Sequence, residues 1–294
     1  MKSFLYNTLS FIILPLFLLV FVMIALKIKA NSDIEKHQII ILGDSQTEFI
    51  RFPEVYNYSI HGSPYYVHYE FAKKFIDQIK NKTVYIACNY HNLSKLYQNR
   101  LANEKLLPGW RANTFKIINE YNIYNDKYSD IRPKDLNYSF FSIKKAPRLF
   151  KKLFITKANK NSITSTINDT LKIDSAIKNH WTDPKYILED SIQREYLNKL
   201  IVLLEENNCD VVLLKMPLTN YYTNNVPIEI KKELTFFPKK HKIRMLDLNN
   251  SLKISKDYLY FKDYGHLNLK GDSLVTKYFK KYEIKARIHN NVYN

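Results

Sequence analysis

The chain reads as α/β: a parallel β-sheet covered by helices on both faces. Short apolar runs of strand length alternate with longer stretches of helical periodicity, the pattern of βα units. The first run, Ile39-Ile40-Ile41-Leu42, is apolar on both strand faces, as a strand buried from above and below must be. Chemistry-bearing residues also follow these runs, where an open parallel sheet collects its reactive groups.

His37 to Gly43 is the first strand and Val55 to Ser59 the second. Pro64 to Lys80 carries helical spacing in Tyr65, Tyr69, Ala72, Phe75, Ile76 and Ile79. Thr83 to Cys88, Asp210 to Met216 and Lys242 to Leu246 complete five strands, and Ile192–Glu206 and Asn268–Tyr282 read as amphipathic helices. Residues 95–190 break the rhythm. The stretch is too long for a simple loop and reads as an inserted helical cap. Within it, Ile143, Ala146, Leu149, Phe150, Leu153 and Phe154 alternate with Lys144, Lys145, Arg148, Lys151 and Lys152, a basic amphipathic helix.

Phe4 to Leu26 is almost wholly apolar and as a helix would extend roughly 34 Å, enough to cross a bilayer. Ile28-Lys29-Ala30 lacks the small residue of a signal-peptidase site. An uncleaved anchor over residues 1–30 is therefore expected, ahead of a domain spanning 31–294, with a cleaved signal peptide as the competing reading. Lys2 on one side and Lys27 and Lys29 on the other leave orientation poorly specified by charge.

The chain of 294 residues holds 23 Tyr and 17 Phe, a composition that folds. Its formal charge is +17. The lysines are dispersed and no nucleic-acid motif accompanies them, so no nucleic-acid partner is expected. Attraction to anionic lipid or an acidic polysaccharide stays open. Cys88 and Cys209 sit at the edges of apolar runs and read as buried small side chains. His61, His68 and His91 read as site-lining or structural, because no Cys/His/carboxylate cluster has metal-ligand spacing. No Gly-rich phosphate cradle occurs, and no cofactor is expected.

Two segments carry the chemistry. Gly43-Asp44-Ser45 follows the first apolar run; Asp263-Tyr264-Gly265-His266-Leu267-Asn268 precedes the last helix. Ser45, His266 and Asp263 could supply a nucleophile, its general base and the group that orients that base. Helix capping by Ser45 is the plain alternative. The placement of both segments on a parallel α/β chain resembles the SGNH (GDSL-type) hydrolase superfamily, over roughly residues 38–95 and 195–282. The resemblance implies a flavodoxin-like three-layer α/β/α fold with Ser45 as nucleophile. Gln46 stands where that family usually has Leu, a position not expected to carry chemistry. Asn57-Tyr58-Ser59-Ile60-His61-Gly62 fits the second family block, with Gly62 N–H joining Ser45 N–H in an oxyanion hole. The third block, usually Gly-x-Asn-Asp, is represented by Ala87-Cys88-Asn89-Tyr90, which lacks both the Gly and the Asp. Asn89 is its donor, with Asn92 as the rival.

The resemblance and the anchor together imply a single-pass membrane protein with its domain outside the cytoplasm. The activity implied is that of a serine esterase or O-acyltransferase on O-acyl esters, O-acetyl first among them, of a cell-surface glycan. Hydrolysis and transfer share one acyl-enzyme, and the sequence does not separate them. Two other readings stand beside it: a catalytically silent scaffold that binds polysaccharide or assists a membrane acyltransferase, and a membrane-associated lipase or thioesterase.

Overall fold

A computed structural model describes residues 31–94, 96–97, 171–181 and 192–292, with Ile13 and Phe21 as isolated positions. Among the described residues five strands form one parallel sheet: β1 (Ile39–Gly43), β2 (Val55–Ser59), β3 (Thr83–Ala87), β4 (Asp210–Lys215) and β5 (Arg244–Asp247), in the spatial order β2-β1-β3-β4-β5. This is the doubly wound order in which the chain leaves β1 first to one side and then to the other. The loops that follow β1 and β3 therefore diverge, and a crevice opens between them at the C-terminal edge.

Period-2 alternation divides the apolar side chains into two cores. Ile40, Leu42, Val84, Ile86, Val211 and Leu213 face one layer, where they meet Tyr66 and Phe71 of α1 (Tyr65–Lys74) and Ile79 of α2 (Ile76–Ile79). Leu200 and Leu204 of α4 (Ile192–Glu206) and Ile230, Leu234 and Phe237 of α6 (Ile228–His241) complete that layer. Ile39, Ile41, Tyr85, Val212 and Leu214 face the other, against Leu248 of α7 (Leu248–Leu252) and Val275 and Phe279 of α8 (Leu269–Val292). Two short elements, α3 (Leu171–Trp181) and α5 (Asn220–Asn224), lie in contact with each other.

Several elements differ from the sequence expectation. The helix expected over Pro64–Lys80 is broken at Phe75, whose φ −113° and ψ 24° leave the helical region while its ring stays in the core. Helix α6 was not apparent from sequence because Pro238, which lacks an N–H, lies inside it. It ends at Lys242 in a left-handed conformation (φ 54°), so the last strand starts at Arg244 instead of Lys242. Helix α8 runs ten residues past the expected Tyr282, to Val292. The anchor expected over residues 1–30, the basic helix at 143–154 and most of the 95–190 insert lie outside the described residues. Among the described residues no helix is long and apolar enough to cross a membrane.

Cys88 and Cys209 are both buried free thiols, and burial pushes Cys88 up to about 12. Phe279 is fully buried between Tyr85 and Phe52, at ring separations of 4.8 and 6.0 Å. Truncating Phe279→Ala is expected to cost about 3–5 kcal/mol of unfolding free energy, measured as a lower urea midpoint at unchanged slope.

Candidate active site

The turn after β1 is built around Asp44. Its Oδ1 accepts from Gln46 N at 2.9 Å, and Thr47 N donates to Asp44 O at 3.2 Å. The residue that caps this turn is thus Asp44, and Ser45 Oγ is left to a different partner. Polar residues of β2 brace the same turn from the side. Asn57 Nδ2 donates to Thr47 O at 2.7 Å and Ile50 O at 2.8 Å, and Thr47 Oγ1 lies 2.7 Å from Ser59 Oγ.

Asp44 is 2 % exposed and is the most heavily bonded carboxylate of the site. Its Oδ2 accepts from His91 Nε2 at 2.8 Å, Asn92 Nδ2 at 2.9 Å and Tyr97 OH at 3.0 Å. Burial alone would raise its pKa. The hydrogen bond and charge of His91, with the Gln46 N–H and Asn92 amide, outweigh burial and hold the carboxyl far below the usual range.

At the other end of the chain, Asp263 and His266 lie on a tight loop. Lys262 N donates to His266 O at 2.7 Å, Asn268 N to Tyr260 O at 2.9 Å, and Phe261 bridges to Leu267. Asn268 Oδ1 then accepts from Lys270 N and Gly271 N at 3.0 and 3.2 Å, which starts α8. Asp263 Oδ1 takes the N–H groups of Gly265 and His266, at 3.0 and 2.8 Å, so its carboxylate cannot turn away. The remaining oxygen, Oδ2, lies 2.7 Å from His266 Nδ1.

The fold brings these two ends together. Ser45 Oγ lies 2.7 Å from His266 Nε2, across 221 residues of sequence. With Asp263 bound at Nδ1, His266 in its neutral form keeps the Nδ1–H tautomer and offers a lone pair at Nε2 to the serine. Burial disfavours the imidazolium, but the Asp263 hydrogen bond and charge prevail, aided by Asp44, and the His266 pKa is raised. Asp263 is correspondingly lowered, its burial outweighed by the bond and charge of His266. The exposed His61 ring stacks beside His266 at 6.2 Å and 17°.

The other candidates fall near the same edge. Gly62 occupies a turn, Ser63 N to Ile60 O at 3.0 Å, with φ 68°, a conformation that excludes most side chains. Among the described residues neither Ser45 N–H nor Gly62 N–H donates to another protein group. The two asparagines part company. Asn92 faces Asp44, donating Nδ2 to its Oδ2 and accepting at Oδ1 from Asn89 N at 2.8 Å. Asn89 sends Nδ2 to Gln46 Oε1 at 2.5 Å. His68 is a buried partner of Ser63 Oγ at 3.0 Å, and burial lowers it to about 4.

The sequence did not reveal the roles of Asp44, His91, Tyr97, Asn57 and Gln46.

No protein-family model matches this chain, and no curated protein matches it in sequence. Solved structures of similar fold include the following two. One, from Bacteroides fragilis, is provisionally described as an acylhydrolase; it is 13% identical, with a TM-score of 0.41, covering 88% of this chain and 94% of its own. The other, a GDSL-like lipase from Bacteroides thetaiotaomicron, is 13% identical with a TM-score of 0.40, covering 86% and 89%. Both likenesses are of fold alone.

Asp44 links stability to pH in a defined direction. Its folded pKa is depressed, so its contribution is present above the unfolded value near 3.9 and is lost as pH falls below about 4. Asp44→Asn is expected to flatten that acid limb and to lower stability at pH 7 by about 1.5–3 kcal/mol, measured by urea unfolding at a series of pH values.

Proposed function

We propose that this protein is a serine esterase or O-acyltransferase that works through an acyl-enzyme on Ser45. The observation that carries the reading is the continuous relay of two 2.7 Å contacts from Ser45 Oγ through His266 to Asp263. A relay of this kind has one chemical use that its parts lack separately: it makes a neutral serine hydroxyl nucleophilic.

In the proposed reaction Ser45 Oγ attacks the ester carbonyl while His266 Nε2 takes the hydroxyl proton. The Asp263 carboxylate stabilises the imidazolium that forms and keeps the ring aimed at the serine. Charge on the tetrahedral oxygen is met by Ser45 N–H, Gly62 N–H and the Asn89 amide. Asn89 is preferred over Asn92 because it directly follows β3, next to β1, whereas Asn92 is turned towards Asp44 through Nδ2 and holds Asn89 N through Oδ1. Collapse expels the alcohol, which takes its proton from His266. Water then completes hydrolysis, or a second hydroxyl completes transfer, with His266 acting again as base.

The preferred substrate class is an O-acetyl ester on a cell-surface glycan, met outside the cytoplasm by a domain tethered through the apolar segment Phe4–Leu26. Support for this finer reading comes from that segment and from the GDSL-type resemblance. A membrane acyltransferase is the partner class that would supply or consume such acyl groups.

Fluorophosphonate should label the protein on Ser45 and leave Ser45→Ala unlabelled; an unlabelled folded wild type would overturn the reading. Turnover of p-nitrophenyl acetate should fall by about 10⁶ in Ser45→Ala and by about 10⁴ in Asp263→Asn. The base must be neutral, so kcat/KM should rise with pH through a limb above the ordinary imidazole value of about 6.5. In Asp263→Asn, where burial acts unopposed by that carboxylate, the residual limb should move to lower pH.

A further inference from the structure

Gln46 follows the candidate nucleophile, yet its side chain is turned into the protein. The residue is 3 % exposed, and its Oε1 accepts from Nδ2 of Asn89, itself 2 % exposed. The other polar atom of this glutamine, Nε2, is buried with no partner among the described residues. A buried polar atom left unpaired costs about 1–3 kcal/mol. An apolar side chain of the same shape at position 46 would avoid part of that cost. The pair is therefore a poor choice for stability alone, and such a group calls for a functional explanation.

The surroundings are shaped to admit it. A Cβ on Gly265 would lie 2.2 Å from Gln46 Nε2 and 2.6 Å from Leu218 Cδ2. Gln46 thus fits between Asn89, which follows β3, and the turn that holds Asp263 and His266. Gln46 N also donates to Asp44 Oδ1, which fixes the backbone from which this side chain extends.

An asparagine Nδ2 carries two hydrogens. One is committed to Gln46 Oε1, which fixes the plane of the amide and leaves the second for a ligand. We propose that Gln46 is a positioning residue, holding the Asn89 carboxamide so that its remaining N–H is aimed at the oxyanion formed on Ser45. This rests on the acyl-enzyme reading above. A donor already oriented needs no reorganisation when charge develops, the condition under which such donors are most effective.

A double-mutant cycle tests it. Gln46→Met keeps length and volume but removes the acceptor. With p-nitrophenyl acetate, Gln46→Met should lower kcat about tenfold, the equivalent of one hydrogen bond, with KM and thermal midpoint preserved. In the Asn89→Ala background the same change should alter kcat by less than about twofold, because the residue it acts through is gone. Gln46→Leu provides the same comparison if the Met variant does not fold. An equal loss in both backgrounds, or no loss in the wild-type background, overturns the inference. Ser45→Ala run in parallel separates the two levels: an inactive Ser45→Ala with additive Gln46 and Asn89 effects removes only the positioning role, whereas an active Ser45→Ala removes the acyl-enzyme reading as well.

Discussion

The buried carboxylate of Asp44 is the constraint on which the rest of the site depends. It sits at the end of β1, inside the protein, with His91, Asn92 and Tyr97 on one oxygen and Gln46 N on the other. A charge in that position is tolerable only when it is surrounded by donors. His91, Asn92 and Tyr97 come from the segment after β3 and Gln46 from the turn after β1, so the carboxylate ties together the two loops that the sheet topology drives apart. Removing any one donor leaves the others crowded around a charge they no longer satisfy, which makes the cluster cooperative. Ser45 is held in place because its neighbour cannot move.

A second set of contacts closes the site from the C-terminal side. The hairpin-like loop from Tyr260 to Asn268 uses backbone bonds across its base and the Asp263 carboxylate across its tip. His266 therefore projects from a rigid turn, and its approach to Ser45 is a property of how β1 and α8 pack on one face of the sheet. The core formed by Ile39, Ile41, Val275 and Phe279 is what transmits that geometry. Local stiffness in each loop and apolar packing between them are both needed, since a contact of 2.7 Å tolerates little displacement.

His68 and His266 show how the partner sorts similar side chains. His68, paired with a serine hydroxyl and no carboxylate, is pushed down to about 4 and stays neutral. His266, less deeply buried and bonded to Asp263, is raised. The partner, more than the degree of burial, decides which of these two histidines takes a proton more readily.

Strand identity and order of appearance were legible in the sequence because a buried parallel strand must be apolar on both faces, as Ile39–Leu42 is. The loops bearing Ser45 and His266 were legible for a related reason: Asp263 and His266 are close enough in sequence to interact within one turn. Their contact with Ser45 was not, since it spans 221 residues and depends on packing that no local pattern encodes. The break at Phe75 and the helix through Pro238 were hidden because tertiary burial overrides local preference there. The choice between Asn89 and Asn92 and the inward turn of Gln46 belonged to the tertiary structure alone. Adjacent polar residues look alike in a sequence, and only the folded positions of Asp44 and Gln46 decide which of them binds Asn92 and which binds Asn89.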